Sequence, residues 1–258
     1  MQARVMTLSV SRAAAVIILC LSVLEWGCSD AEKSGFTEEN WQEEVENTNA
    51  ADYYLPSRNN GRFEAPWMEM GDKSVLDVLA WKLFERPDYT HKEKAYLPKV
   101  LPDTFQRLSA VSGDFILWIG HNSFLVRIGE TYWVTDPIFS RRALLPARLT
   151  PPALVAEEVG KLAGDRLNII ISHNHYDHLD RASMKDLPSS AKVFVPKGLK
   201  AYVQKMNKPD TVELDWWESR DLGSGVLLVC LPAQHWSLRI NQGRNRSLWA
   251  SWLLITPE

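Results

Sequence analysis

From Asp114 onward the chain alternates short apolar runs with turn residues. Runs of this length, bounded by Gly, Pro, Asp or Ser, predict buried or half-buried β-strands. Six such runs are "DFILWIG", "SFLVRIG", "TYWVTDP", "LNIIIS", "AKVFVP" and "GVLLVCLP". Stretches between the later runs, "ALVAEEVGKLAG", "RASMKDL" and "KGLKAYVQKM", have apolar residues at helical spacing. Hairpins followed by strand–helix alternation predict a mixed α/β architecture.

The segments before this region are less regular. Residues 29–50 carry seven acidic residues against one lysine and predict a solvated tether. Residues 51–110 are interrupted by prolines and contain one clear helical pattern, at Ser74–Phe84. We therefore predict that residues 51–110 form an N-terminal extension packed on a main domain that spans residues 111–258.

Residues 1–28 predict export. Arg4 and Arg12 precede an apolar run, Ala13–Leu24, which is short for a membrane span and suits a signal-type leader. The glycine and Cys28 that follow resemble the cleavage box of a bacterial lipoprotein. We expect an exported protein anchored to a membrane, in the periplasm or at the outer membrane, by a lipid on Cys28. Simple cleavage and an uncleaved apolar anchor are the alternatives.

Composition excludes some classes of function. The net charge of −3 gives no electrostatic reason to expect a nucleic-acid partner. Cys20 lies in the leader and Cys28 at the proposed lipid site, which leaves Cys230 inside an apolar run. We therefore predict a buried thiol at Cys230 and no disulfide framework.

The candidate chemistry lies in "SHNHYDHLD", directly after the predicted strand "LNIIIS". Three of the chain's six histidines, His173, His175 and His178, fall within six positions together with Asp177. In an extended chain His173 and His175 point the same way, and Asp177 and His178 beyond a turn can face a second centre. Imidazole and carboxylate bind divalent transition metals, so we predict half of a two-metal site. A polar surface loop is the alternative.

The same stretch resembles a known family. "HNHYDH" matches the His-x-His-x-Asp-His signature of the metallo-β-lactamase fold, and the "HLD" that closes it favours one branch. "LWIGHNSFLVRIG", "WVTDPIFSRRA", "VELDWWE", "PAQHWSLR" and "LWASWLL" are similar, in this order, to the zinc phospholipases D that hydrolyse N-acylphosphatidylethanolamines and to their bacterial outer-membrane relatives. The resemblance implies an α/β fold, the αββα sandwich of the metallo-β-lactamases.

The resemblance also implies the metal ligands. It makes His173, His175 and His235 the ligands of one zinc ion. It makes Asp177 and His178 ligands of the other, and Asp177 would in addition orient the attacking hydroxide. His235 follows the apolar run "VLLVCLP", a strand-end position like that of the first loop.

Two ligands of the family have no counterpart here. The family completes its site with a bridging aspartate and a last histidine, but no aspartate or histidine occurs between Trp236 and Glu258. We therefore expect that the C-terminal half of the domain is missing, and that the chain is a fragment or a degenerate protein. Of the two zinc ions in a full-length site, at most one is expected to bind to this chain.

Further residues resemble positions around the family's site. Asp136, in "VTDP", matches an aspartate that braces the histidine loop, with a simple Asp-Pro turn as the alternative. His121, in "IGHNSF", matches a position near the site that is not a metal ligand.

Several basic and aromatic residues are candidates for substrate contact. Arg141, Arg142 and Arg148 lie on the loop after the predicted brace, and Arg239 follows the last candidate ligand. Guanidinium groups can hold a phosphodiester by paired hydrogen bonds, so Arg141, Arg142 and Arg239 are candidate substrate residues; merely solvated side chains are the alternative. Five tryptophans belong either to the core or to an acyl-chain groove: Trp216, Trp217, Trp236, Trp249 and Trp252.

The resemblance implies a membrane-tethered zinc hydrolase whose metal-bound hydroxide attacks a phosphodiester of the N-acylphosphatidylethanolamine type. The expected partners are a phospholipid substrate and a membrane surface, and the oligomeric state is left open. One alternative is another hydrolase of this fold, a lactonase or a soluble phosphodiesterase. The other is a non-catalytic lipoprotein that binds metal or lipid.

Overall fold

Two β-sheets pack face to face in the part of the protein that a computed structural model describes, residues 47, 58–65, 80, 84, 90–143, 147–240 and 242–257. These residues fall in one compact unit. The predicted leader, nearly all of the predicted tether, and the predicted helix at 74–84 apart from positions 80 and 84 lie outside the described residues.

The described strands are β1 (Arg58–Asn59), β2 (Arg62–Phe63), β3 (Phe115–Gly120), β4 (Ser123–Ile128), β5 (Thr131–Thr135), β6 (Leu167–Ile170), β7 (Lys192–Pro196), β8 (Thr211–Leu214), β9 (Ser219–Asp221), β10 (Leu227–Leu231), β11 (Leu238–Arg239), β12 (Gly243–Arg244) and β13 (Ser251–Ile255). The described helices are α1 (His91–Ala95), α2 (Thr104–Ser109), α3 (Ala156–Ala163), α4 (Arg181–Asp186) and α5 (Lys200–Gln204). A short 3₁₀ turn, Gly164–Arg166, follows α3.

The larger sheet has six strands in the order β3-β4-β5-β6-β7-β8. Its first three strands pair antiparallel, and Gly129 at φ +54° makes the tight turn between β4 and β5. The remaining strands pair parallel, and α3, α4 and α5 lie in the crossovers that parallel pairing requires. The strands predicted from the apolar runs after Asp114 and the three helices predicted between them are confirmed.

Each face of this sheet has its own hydrophobic core. Ile169 lies in the core that the helices cover, together with Val159 of α3 and Met184 of α4. The next residue, Ile170, lies in the core between the sheets, opposite Leu228 of β10. Because successive side chains of a strand point to opposite faces, a strand covered on both sides reads as an unbroken apolar run. This explains the run "LNIIIS".

The second sheet has three antiparallel strands in the order β13-β10-β9. Cys230 of β10 is buried and free, as predicted, and burial raises the pKa of its thiol. Phe63 of the short β1–β2 hairpin packs beside Cys230 and two buried tryptophans, Trp216 and Trp249. Among the described residues no helix combines the length and the hydropathy that crossing a bilayer requires.

Phe63 offers a test of whether the N-terminal extension belongs to the main fold. Its side chain is 0% exposed, so Phe63→Ala should lower the free energy of unfolding by roughly 3–5 kcal/mol. Phe124→Ala is the matched control, because Phe124 is 38% exposed and should lose less. Urea unfolding followed by tryptophan fluorescence measures both. Equal losses in the two variants would contradict this packing.

Candidate metal centre

The candidate centre is built on the histidine loop, residues 171–180, which connects β6 to α4. The backbone N–H of Leu179 donates to the carbonyl of His175 at 2.9 Å and closes a turn. Asp180 then ends the loop as the N-cap of α4, where its side chain accepts from the backbone N–H of Ser183. The loop is thus fixed at both ends, by a strand and by a capped helix.

Three imidazoles converge on one side of the loop. Nε2 of His173 lies 2.8 Å from Nδ1 of His175 and 3.0 Å from Nε2 of His235. One ligand atom from each of these residues lies within 4.8 Å of the others. His235 comes from the segment after β10, so the two sheets together assemble this group. We call His173, His175 and His235 the three-histidine group.

A second group of possible ligands lies beside it. His121, Asp177 and His178 also bring ligand atoms within 4.8 Å of one another. Nε2 of His121 donates to Oδ2 of Asp177 at 3.0 Å, and Nε2 of His178 lies 3.7 Å from the same oxygen. The sequence predicted Asp177 and His178 for a second centre, but it did not predict His121 as a possible ligand.

The turn between β3 and β4 explains how His121 reaches the second group. His121 has a φ of +55°, which is uncommon for a residue with a side chain. Its carbonyl accepts a hydrogen bond from Nε1 of Trp118 at 2.7 Å, which holds the turn. The motif "IGHNSF" marked this position in the sequence, but only the folded hairpin brings it to Asp177.

Asp136 fixes the orientation of the histidines. It follows β5 and accepts hydrogen bonds from the backbone N–H and the hydroxyl of Ser172, both at 2.7 Å. Its Oδ2 also accepts from Nδ1 of His178 at 2.8 Å, which leaves Nε2 of that ring facing the second group. Because the hydroxyl of Ser172 donates to Asp136, it can accept from Nδ1 of His173, 2.8 Å away. Nε2 of His173 is then left with its lone pair.

The electrostatics of the three-histidine group favour neutral rings. Burial, reinforced by the neighbouring imidazoles, lowers the pKa of His173. Burial and His235 lower the pKa of His175 to about 4, and burial and His178 lower the pKa of His235. Neutral imidazoles keep the lone pairs that a metal requires.

The electrostatics of the second group favour charged side chains instead. Burial would lower the pKa of His178, but its hydrogen bond to Asp136 and the charges of Asp136 and Asp177 raise it. Burial would raise the pKa of Asp177, but His178 and the hydrogen bond from His121 outweigh it and lower that pKa. Asp177 is therefore a carboxylate at neutral pH.

The donor sets fit a divalent metal. Three imidazole nitrogens meet in the three-histidine group, and no carboxylate belongs to that group. Nε2 of His175 is also buried without a hydrogen-bond partner in the described part of the chain. A cation at this point would accept the converging lone pairs, and imidazole with carboxylate is a usual donor set for zinc.

A largely apolar cavity of about 840 Å³ opens beside both groups. His175, His121 and Asp177 line it together with Trp118, Trp236 and Ile240. Trp236 packs edge-on against the ring of His175, with ring centroids 4.3 Å apart.

The other tryptophans proposed for an acyl-chain groove do not line this cavity. Trp216 and Trp249 belong to the core beside Phe63, where each indole N–H donates to a backbone carbonyl. Trp252 packs between the sheets and donates to the carbonyl of Ile171 at 3.0 Å.

The candidate substrate arginines lie in three different environments. Arg239 is 5% exposed, and its Nη1 donates to the carbonyls of Asn174 and Leu179 at 2.8 and 2.9 Å. Arg141 is exposed at the wall of the cavity. Arg142 is exposed and forms an isolated β-bridge with Ala147.

Comparison with known proteins agrees with this geometry. Residues 131–258 match the family described as the β-lactamase superfamily domain. This region is a β-lactamase superfamily domain. It contains β5, β6, β7 and β8 of the mixed six-stranded sheet. This sheet, faced by a second sheet and covered by helices on its other side, has a metallo-β-lactamase-like α/β fold.

Two curated relatives are similar to this chain over more than residues 131–258. The N-acyl-phosphatidylethanolamine-hydrolyzing phospholipase D 1 of Caenorhabditis elegans is 33% identical over 81% of this chain and 64% of its own length. The mitochondrial N-acyl-phosphatidylethanolamine-hydrolyzing phospholipase D of Saccharomyces cerevisiae is 28% identical over 81% of this chain and 55% of its own length. The chain therefore spans a little more than half of each relative.

Among solved structures, CmlA, a diiron β-hydroxylase from Streptomyces venezuelae, aligns with a TM-score of 0.43 and 25% identity. The alignment covers 58% of this chain and 28% of that one.

Arg239 allows the histidine loop to be tested without touching a metal donor. Arg239→Met should remove both hydrogen bonds to the loop and weaken zinc binding roughly 10- to 100-fold. Competition with a chromophoric chelator measures the affinity, and Arg220→Met, at an exposed strand position, is the matched control. Unchanged zinc affinity with a raised KM for a phosphodiester would instead indicate the substrate contact predicted from the sequence.

Proposed function

We propose that this protein is a zinc-dependent hydrolase that cleaves a phosphodiester in phospholipids of the N-acylphosphatidylethanolamine type. One observation carries the proposal: His175 and Asp177, one residue from each donor group, line the same largely apolar cavity. Such a cavity suits the aliphatic part of a ligand whose polar centre lies at the metal donors. The names of the two curated relatives support the choice of lipid.

The residues have distinct tasks in this reaction. His173, His175 and His235 would hold one cation. In the full-length site, Asp177 and His178, with His121 beside them, would contribute to holding the other. Bound there, zinc supplies Lewis-acid chemistry, which lowers the pKa of water to about 7 and offsets charge that develops on the phosphoryl oxygens.

The chain's own side chains orient the reactants. The carboxylate of Asp177, ionised and held by His121, would accept a hydrogen bond from the attacking water and direct it to phosphorus. Asp136 would keep Nε2 of His178 turned toward the site. The water oxygen bonds to phosphorus as the phosphorus–oxygen bond to the ethanolamine breaks, which releases phosphatidic acid and an N-acylethanolamine.

The test is a lipid assay with metal exchange. The zinc-loaded full-length protein, but not residues 1–258 alone, should release N-acylethanolamine from N-acylphosphatidylethanolamine vesicles. Chelation should abolish the release until zinc is restored. Asp177→Asn should lower kcat about 100-fold or more, because the orienting carboxylate is lost. His91→Ala, at an exposed histidine of α1, is the control and should leave kcat unchanged.

Two outcomes would contradict the proposal and identify the alternatives. Turnover of lactones or soluble phosphodiesters, with the phospholipid untouched, would indicate another hydrolase of this fold. Binding of zinc and lipid without turnover of any ester would indicate a non-catalytic binding protein.

We also propose that the protein is exported and held at a membrane by its leader, as the sequence around Cys28 predicts. Cys28→Ser should move the protein from the membrane fraction to the soluble fraction of an expressing bacterium, because the lipid would have no attachment site. Incorporation of labelled fatty acid provides the direct measurement. Equal labelling of the parent and of Cys28→Ser would exclude a lipid at this cysteine.

A further inference from the structure

Two arginines lie directly opposite each other in the wall of the cavity. The backbone N–H of Arg148 donates to the carbonyl of Arg141 at 2.9 Å, next to the bridge between Arg142 and Ala147. Residues paired in this way project their side chains to the same side of the ladder, and both side chains line the cavity. Like charges opposite each other are unfavourable unless something of opposite charge lies near them.

The guanidinium of Arg148 is only partly satisfied by the protein. Its Nη2 donates to the carbonyl of Ile138 at 3.1 Å, whereas its Nη1 is buried and has no hydrogen-bond acceptor among the described residues. Buried donors are nearly always paired in folded proteins, so an unpaired one requires an explanation.

The charge of Arg148 also lacks a partner among the described residues. None of the ion pairs found within the described ranges includes Arg148. Burial lowers the pKa of its guanidinium, and no carboxylate of the described residues acts in the opposite direction. Placing a cation in a partly desolvated wall is costly without an anion, and an anionic ligand would offset that cost.

The backbone makes room for this arginine. A Cβ atom at Gly120 would lie 3.4 Å from Nη2 of Arg148, and Gly120 has a φ of +132°, which favours glycine. The next residue is His121, which contacts Asp177. The guanidinium therefore packs against the same turn that carries a member of the second donor group.

Arg239, by contrast, is not available to a ligand in the same way. Its Nη1 donates to two carbonyls of the histidine loop, and its guanidinium lies over the rings of Tyr176 and Tyr202 at 4.2 and 5.2 Å. Contacts within the protein therefore account for the position of the Arg239 guanidinium, and no ligand is needed to explain it.

We propose that Arg148, with Arg141 opposite it, forms an anion-binding clamp in the cavity wall that holds the phosphate of an amphiphilic phosphodiester. The choice of a phosphodiester rests on the proposed function, whereas the clamp itself requires only an anion. The apolar residues of the cavity, such as Trp118 and Ile240, would contact the aliphatic arms of the same ligand.

The test measures binding to the full chain in the presence of a chelator, so that zinc does not contribute. Dibutyl phosphate is the anionic probe, and tributyl phosphate is its neutral match with one more alkyl arm. Calorimetry should detect dibutyl phosphate and not tributyl phosphate. Arg148→Gln should weaken binding about tenfold or more, because a charge-assisted hydrogen-bond donor is lost.

Three controls distinguish binding at the clamp from a general effect of charge and from misfolding of a variant. Arg220→Gln removes an exposed arginine on β9 and should leave the affinity unchanged. Arg148→Lys keeps the charge but not the two-pronged donor, and it should bind with an affinity between those of the parent and Arg148→Gln. In the unmodified chain, dibutyl phosphate should protect Arg148 from phenylglyoxal, as mass spectrometry of the peptides would show. This measurement needs no variant to fold.

The outcomes that overturn the inference are distinct from those that overturn the proposed function. Equal binding of dibutyl phosphate by the parent and Arg148→Gln, or absence of protection at Arg148, would exclude the clamp even if the lipid is hydrolysed. Inorganic phosphate binding as tightly as dibutyl phosphate would exclude a lipid diester as its ligand. Binding of dibutyl phosphate without turnover of any phosphodiester would leave the clamp in place and exclude the proposed reaction.

Discussion

The geometry of the centre depends on the hydrogen bonds that Asp136 accepts. β5 and β6 pair in parallel, so their carboxyl ends meet at one edge of the sheet, and Asp136 lies beside Ser172 there. Asp136 adopts a φ of +37°, an uncommon backbone conformation for a residue with a side chain. Its carboxylate orients the ring of His178 directly and the ring of His173 through the hydroxyl of Ser172. Without these hydrogen bonds, neither imidazole ring would have a fixed tautomer or orientation.

The second sheet also contributes to the centre. The backbone N–H of Ala250 donates to the carbonyl of Ser172 at 2.9 Å, and the indole of Trp252 donates to the carbonyl of Ile171. These bonds attach the segment around β13 to the start of the histidine loop. Since His235 follows β10, which pairs with β13, the same attachment brings the third imidazole to the other two. Packing of the sheets therefore also brings the donors together.

The sequence predicts best what is local in the chain. The strands and crossover helices follow from apolar runs and helical spacing, and His173, His175, Asp177 and His178 are recognisable because they are close in sequence. The possible role of His121 as a donor depends on a strained turn more than fifty residues away from Asp177, so no spacing rule reveals it.

The tryptophans illustrate the same limit. An apolar aromatic residue predicts burial but not which core it joins, and of the five candidates Trp236 lines the cavity.

The arginines show why residue type and motif do not determine role. Arg141, Arg148 and Arg239 all line one cavity, and each could in principle bind an anion. What distinguishes them is the number of acceptors that the protein already provides. The buried Nη1 of Arg239 donates to two backbone carbonyls of the histidine loop, and these hydrogen bonds hold the loop in place. The buried Nη1 of Arg148 meets none within the part of the chain described. An anion that enters the cavity would therefore stabilise Arg148 more than Arg239. In this arrangement Arg148 would supply the selectivity for anions, whereas Arg239 would stabilise the histidine loop that carries the metal donors.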